Sequence, residues 1–173
     1  MRLLCAALLS LPLLCAGGCG YHALGASTHL PPGLKTLSIP MFSTRSVING
    51  TNTALTEAVI REFTARTRFQ VTPREDPGAD AVLHGAILQE SVRPLTYNTL
   101  TQQSSSFLVT MVASVTLQDR SGKVLYSNSN YVYRQQYEAT TNLPTYFEED
   151  PAAIQRLSRD FARQLVGDVL ESF

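Results

Sequence analysis

Beyond residue 19 the sequence has no cysteine, and it has no tryptophan anywhere. The three cysteines, Cys5, Cys15 and Cys19, all fall at the amino end, so the body of the chain builds no disulfide framework, no zinc knuckle and no thiol nucleophile. Charge is also scarce. Only 16 % of residues are charged, and 14 basic side chains balance 14 acidic ones, which argues against a nucleic-acid partner and against broad electrostatic attachment to anionic lipid. After Leu14 no apolar run is long enough to cross a bilayer as a helix. Histidine is rare. His22 and His29 have no carboxylate or cysteine beside them and read as linker residues, not metal ligands. His84 lies in a strand pattern with nothing nearby to orient its ring, so it reads as a locally satisfied strand residue ahead of a catalytic one. No nucleophile–His–acid grouping, glycine-rich phosphate loop or metal cluster is visible, so no enzyme activity, catalytic residue, cofactor or metal is expected.

What the sequence does have begins with Arg2 and an apolar stretch from Leu3 to Leu14, followed by the small residues Ala16, Gly17 and Gly18 directly before Cys19. A cationic start, a short apolar core and a small-residue cleavage site make a secretory signal over residues 1–18. Ending on a cysteine, it resembles a bacterial lipobox, in which the cysteine sulfur takes a diacylglycerol and the new amino terminus is acylated. Cys15, preceded by bulky Leu13 and Leu14, does not fit. Each buried methylene contributes about 0.8 kcal/mol, and more than one chain makes a stable anchor. Gly20 stands where an inner-membrane retention signal would carry Asp, which favours the outer membrane of a two-membrane cell. Residues 19–33, with Gly25, Pro31 and Pro32, read as a lipidated tether, and residues 34–173 as a single domain, since 44 % hydrophobic residues suffice for one packed core.

Within that domain the pattern switches between periods. Leu34–Pro40 alternates as a strand that Pro40 stops. A helix capped by Thr51 or Thr53 runs to about Arg66, with Leu55, Val59 and Phe63 in one stripe. Phe69–Val71 is a short strand, which implies a crossover between parallel neighbours. A third strand spans Ala79–Val92. Arg93–Ser106 is polar and reads as a loop or a loosely paired extension. Phe107–Gln118 is apolar at every odd position, a half-buried strand with one dry face. Asp119–Gly122 turns it into a return strand from Lys123 to about Glu138, which carries Tyr126, Tyr131, Tyr133 and Tyr137. After a loop, Glu148, Glu149 and Asp150 place negative charge before Pro151 at the start of a last helix. Its dry stripe is Ile154, Leu157, Phe161, Leu165 and Val169, and Arg156, Arg159, Arg163 and Asp168 form its wet side. The order β-α-β-β-β-α predicts an α+β two-layer sandwich, with two helices packed on one face of a four- to five-stranded mixed sheet. The other face, expected to show Tyr, Thr, Ser and Asn, is left for solvent or a partner.

Several segments together carry a family likeness: Cys19-Gly20-Tyr21-His22-Ala23-Leu24-Gly25, then Leu30-Pro31-Pro32-Gly33 through Ile39-Pro40-Met41-Phe42, then Leu55-Thr56-Glu57-Ala58-Val59-Ile60-Arg61-Glu62-Phe63 and Arg66-Thr67-Arg68-Phe69. They resemble the lipopolysaccharide-assembly lipoprotein family LptE. The resemblance implies a non-enzymatic lipoprotein on the periplasmic side of the outer membrane. It would plug and help assemble the LptD β-barrel translocon and bind lipopolysaccharide during export to the outer leaflet. The near-neutral polar surface suits a polar barrel lumen. No motif transfers the family's lipid-contacting positions to this sequence. Arg93, Lys123 and Arg134 lie on or beside the central strands and are the candidates for a weak anion patch, with ordinary solvated charges as the alternative. Another outer-membrane lipoprotein of similar topology, a secretion-pore subunit or cell-wall synthase activator, is the rival functional reading.

Overall fold

The computed structural model describes residues 33–44, 50–98, 103–138 and 151–172. Cys19, the tether and the acidic run Glu148, Glu149 and Asp150 lie outside the described residues. The elements are β1 (Thr36–Ser38), β2 (Ser43–Thr44), α1 (Thr51–Arg66), β3 (Gln70–Thr72), β4 (Ala81–Asn98), β5 (Gln103–Asp119), β6 (Val124–Glu138) and α2 (Pro151–Glu171). They form the expected α+β arrangement around one mixed sheet of order β3-β1-β4-β5-β6. β1 runs parallel to both β3 and β4, and β4, β5 and β6 form an antiparallel meander. One strand is additional to expectation: β2 resumes the line of β1 after Pro40, and Ser43 and Thr44 pair parallel with Ala86 and Ile87 of β4. The polar stretch after Arg93 resolves as a paired extension, since β4 and β5 stay paired, through register shifts on either side of Thr96, out to Asn98 and Gln103.

The dry side of the sheet follows from the alternation in β5. Phe107, Val109, Met111, Ala113, Val115 and Leu117 are all buried. Leu83 and Ile87 from β4 join them, and Leu55, Val59 and Phe63 of α1 and Leu157, Phe161, Leu165 and Val169 of α2 close over the layer. Both helices have one apolar stripe and each buries it on the same sheet face, which is the two-layer solution. Small residues, Ala54 and Ala58 on α1 and Ser158 and Ala162 on α2, fill a second buried row on each helix where the two lie side by side.

Two local devices fix the first half of the chain. Phe42, buried in the β1–β2 link, lays its ring where a side chain at position 85 would go: a Cβ added to Gly85 would stand 2.3 Å from Phe42 Cε2. The Phe42 N–H donates to Thr56 Oγ1 at 2.9 Å, and that hydroxyl donates to Asn52 O at 2.7 Å, which ties the link to α1. At the start of the sheet, Asp80 accepts from the Lys35 and Thr36 N–H groups, both at 3.0 Å, and from the Thr36 hydroxyl at 2.9 Å. Those bonds, from the Lys35 N–H foremost, hold the Asp80 carboxyl below its ordinary pKa.

Two expectations need correcting. α1 is not capped by a threonine side chain. Its N-cap is Gly50 in the left-handed region at φ 86°, with no side-chain cap hydrogen bond, and Thr51 is buried. Asp168 is not on the wet side of α2. It is half-buried and accepts the Tyr131 hydroxyl at 2.7 Å.

Candidate functional site

The two helices seal one face of the sheet and leave the other open. β-Bulges decide which side chains stand on the open face. In β4, Ile87 pairs with Ala113 but Gln89 pairs with Val112, so Leu88 is an extra residue. A bulge of this kind reverses the side-chain alternation beyond it. Leu83 and Ile87 point to the helices before the bulge, whereas after it Glu90 sits opposite Met111, and Val92 opposite Val109, on the helix side. Ser91 and Arg93 are thereby turned to the open face. β6 repeats the device. Ala113 pairs with Tyr131 but Val115 pairs with Asn128. Tyr131 and Tyr133 therefore point to the helices, and Val132 and Arg134 to the open side.

Two of the three candidate cations thus share a surface. Arg93 stands opposite Leu108, itself opposite Gln136, and Arg134 stands opposite Thr110. Two strand spacings across and two residues along place their Cα atoms about 12 Å apart. Both are exposed, with no ion-pair partner among the described residues. Lys123 does not join them. It is exposed in the β5–β6 turn, roughly 30 Å along the strands from the Thr110 row. Its N–H donates to Asp119 Oδ1 at 3.0 Å. The Ser121 hydroxyl, ahead of the Lys123 N–H, keeps that carboxyl below its ordinary pKa. Cys19 lies outside the described residues.

Three of the tyrosines expected on the open face, Tyr126, Tyr131 and Tyr133, are elsewhere. Tyr131 and Tyr133 meet the Phe161 ring edge-on, at centroid distances of 5.5 Å and 5.8 Å, and Tyr126 packs against the same core. Burial, then the bond to Asp168, pushes the Tyr131 phenol above its ordinary pKa. These rings dock α2 onto β6 and are not a ligand platform. The open face carries Leu108, Thr110, Val112, Ser114 and Thr116 from β5, each half-exposed.

At the opposite end of this face from the arginines lies a groove of about 310 Å³. Pro40, Met41, Ser43 and Glu75 form one wall, and His84, Ala86, Ser114 and Thr116 the other. Met41 is 59 % exposed, and His84 Nε2 lies 3.8 Å from Glu75 Oε1. Sequence reading treated His84 in isolation and gave no role to the residues facing it. The β4–β5 register brings His84 beside Thr116 and Ala86 beside Ser114, and β2 holds the Met41 link above them. No local signal in the sequence announces that meeting. Among the described residues no group of three His, Cys, Asp or Glu side chains is arranged to hold a metal, and no helix is long and apolar enough to cross a membrane.

The sequence pattern of the lipopolysaccharide-assembly family LptE matches residues 34–169. None of the curated proteins compared by sequence matches the chain. Among solved structures, lipoprotein B from Nitrosomonas europaea is similar, with a TM-score of 0.53 and 14 % identity, covering 87 % of this chain and 90 % of that one. A protein from Xanthomonas campestris gives 0.53 and 13 % identity, covering 82 % and 89 %. PelC from Paraburkholderia phytofirmans, solved as a dodecamer, gives 0.52 and 7 % identity, covering 79 % and 90 %. At such identities the likeness is one of fold.

Proposed function

Since the chain belongs to the lipopolysaccharide-assembly family LptE, we propose that it is an outer-membrane lipoprotein that plugs and helps assemble an LptD-type β-barrel and binds lipopolysaccharide on its way to the outer leaflet. Residues 1–18 are its signal peptide, Cys19 takes the lipid, residues 19–33 are the tether, and the domain faces the periplasm. Its work is binding and scaffolding, without catalysis or cofactor. The observation that carries this reading is the asymmetry of the sheet: one face is sealed by α1 and α2, while the other is open and holds Arg93 and Arg134 with Leu108 on the strand between theirs. Two guanidinium groups beside a short apolar strip suit a phosphorylated glycolipid, because guanidinium pairs with phosphate in a bidentate fork. Lys123, at the far turn, is a separate and weaker contact.

The partner is tested by extracting the lipidated protein from its native envelope in detergent and identifying what comes with it by mass. One large β-barrel is the expected companion. A solitary protein overturns the proposal, and a ring of its own copies favours the pore-subunit alternative. For the ligand, charge reversal at Arg93, Lys123 and Arg134 together should weaken lipopolysaccharide binding at least tenfold. Unchanged binding removes the anion patch.

A further inference from the structure

The open face has a second end that the arginine pair does not use. We infer that the groove between the β1–β2 link and the β4–β5 strands is a saccharide subsite, taking a neutral sugar ring of the same glycolipid whose phosphates meet Arg93 and Arg134. This rests on the reading above and extends it.

The lining has the chemistry of a sugar site, not of a phosphate or acyl site. Glu75 and His84 supply a carboxylate and an imidazole 3.8 Å apart, and Ser43, Ser114 and Thr116 add hydroxyls that both donate and accept. Met41 gives an apolar edge for the C–H side of a ring. No arginine or lysine lines it, so a phosphate would meet the Glu75 carboxylate without a cation to offset it. Its volume of about 310 Å³ is at the low end for a ligand cleft, fitting one or two rings. The walls are held: Phe42 is locked over Gly85, and the loop before Glu75 is fastened where Ser38 Oγ donates to Arg74 O at 2.6 Å.

Geometry links the two ends. The Ser114–Thr116 rows and the Leu108–Thr110 rows lie on one face of one strand, about 20 Å apart at the rise of a β-strand. A short run of linked sugars spans that distance. The surface between, Val112 and Val132 with Gln89, carries no charge to interrupt it.

The test uses the full lipidated protein in detergent with two probes: a core oligosaccharide freed of lipid and phosphate, and a diphosphorylated lipid A without core sugars. The oligosaccharide should bind saturably, and Glu75→Gln with Thr116→Val should weaken it at least tenfold while changing lipid A binding less than twofold. Arg93→Glu with Arg134→Glu should do the reverse. Met41→Ser, beside Glu75 on the wall opposite Thr116, should weaken the oligosaccharide likewise, and circular dichroism confirms that each variant is folded. If lipid A binds but the oligosaccharide does not, or binds the groove variants as well as the wild type, the subsite is wrong and the broader reading survives. If neither probe binds the wild type, both fall.

Discussion

The two faces of this sheet are made of the same strands and differ in almost every physical respect. On the helix side, Met111, Ala113 and Val115 have no exposed surface and are packed by side chains from both helices. On the other side, Thr110, Val112 and Ser114, their immediate neighbours in sequence, are half-exposed and neither helix covers them. The first face holds the fold together, and the second is free to vary for function because little stability depends on it. A period of two in one strand is enough to separate the jobs.

That separation makes graded predictions. The largest effect should come from Phe161→Ala, which empties the place where Tyr131 and Tyr133 meet α2. It should lower the free energy of unfolding by about 3–5 kcal/mol in urea titration, and a loss below about 1 kcal/mol would mean that the helix side is not the seat of stability. Next is Gly85→Ala, whose new methyl must displace the Phe42 ring and should cost about 1–3 kcal/mol. Combining it with Phe42→Ala should cost less than the sum of the two single changes, because the clash disappears with the ring.

Tyr131→Phe should cost about 1 kcal/mol through the lost bond to Asp168. It also has a pH signature. The folded phenol resists ionisation, so the unfolded chain releases its proton first, and stability declines as the pH climbs past the ordinary tyrosine value of 10.0. The Phe variant should show a shallower alkaline decline in thermal melts. Asp80 works in the other direction: its carboxyl is held ionised in the fold, so its contribution is present above 3.8 and fades as the pH drops further. Asp80→Asn should flatten that acid limb. Smallest of all should be Arg134→Ala on the open face, which should move the unfolding free energy by no more than about 0.5 kcal/mol. A larger shift would show that the open face carries structural weight.

The closed face was largely legible in the sequence. The odd-position alternation of Phe107–Gln118 and the stripe Leu157, Phe161, Leu165 and Val169 state their burial openly, because apolar periodicity is a direct imprint of a dry surface. The open face was not, for reasons that are themselves physical. Arg93–Ser106 is rich in Ser, Thr and Gln because its strands need no apolar partner, and composition then looks like a loop. The bulge at Leu88 depends on the partner strand's register, so counting along β4 alone would aim Arg93 into the helices. The same holds for β6, where the bulge before Tyr131 sends Tyr131 and Tyr133 inward. Gly50 in place of a threonine cap and Asp168 bonded to Tyr131 were missed because each depends on a neighbour distant in sequence or on a backbone angle.

α2 supplies Leu157, Phe161, Leu165 and Val169, the larger share of the lid over the dry face, from the last stretch of the described chain. Any machinery that delivers this polypeptide amino end first therefore releases a sheet whose greasy side is covered by α1 alone until the 33 residues from the end of β6 to the end of α2 emerge. The interval between those two events is when the protein most needs a holding chaperone, and when an escort with a long apolar cleft would find its substrate.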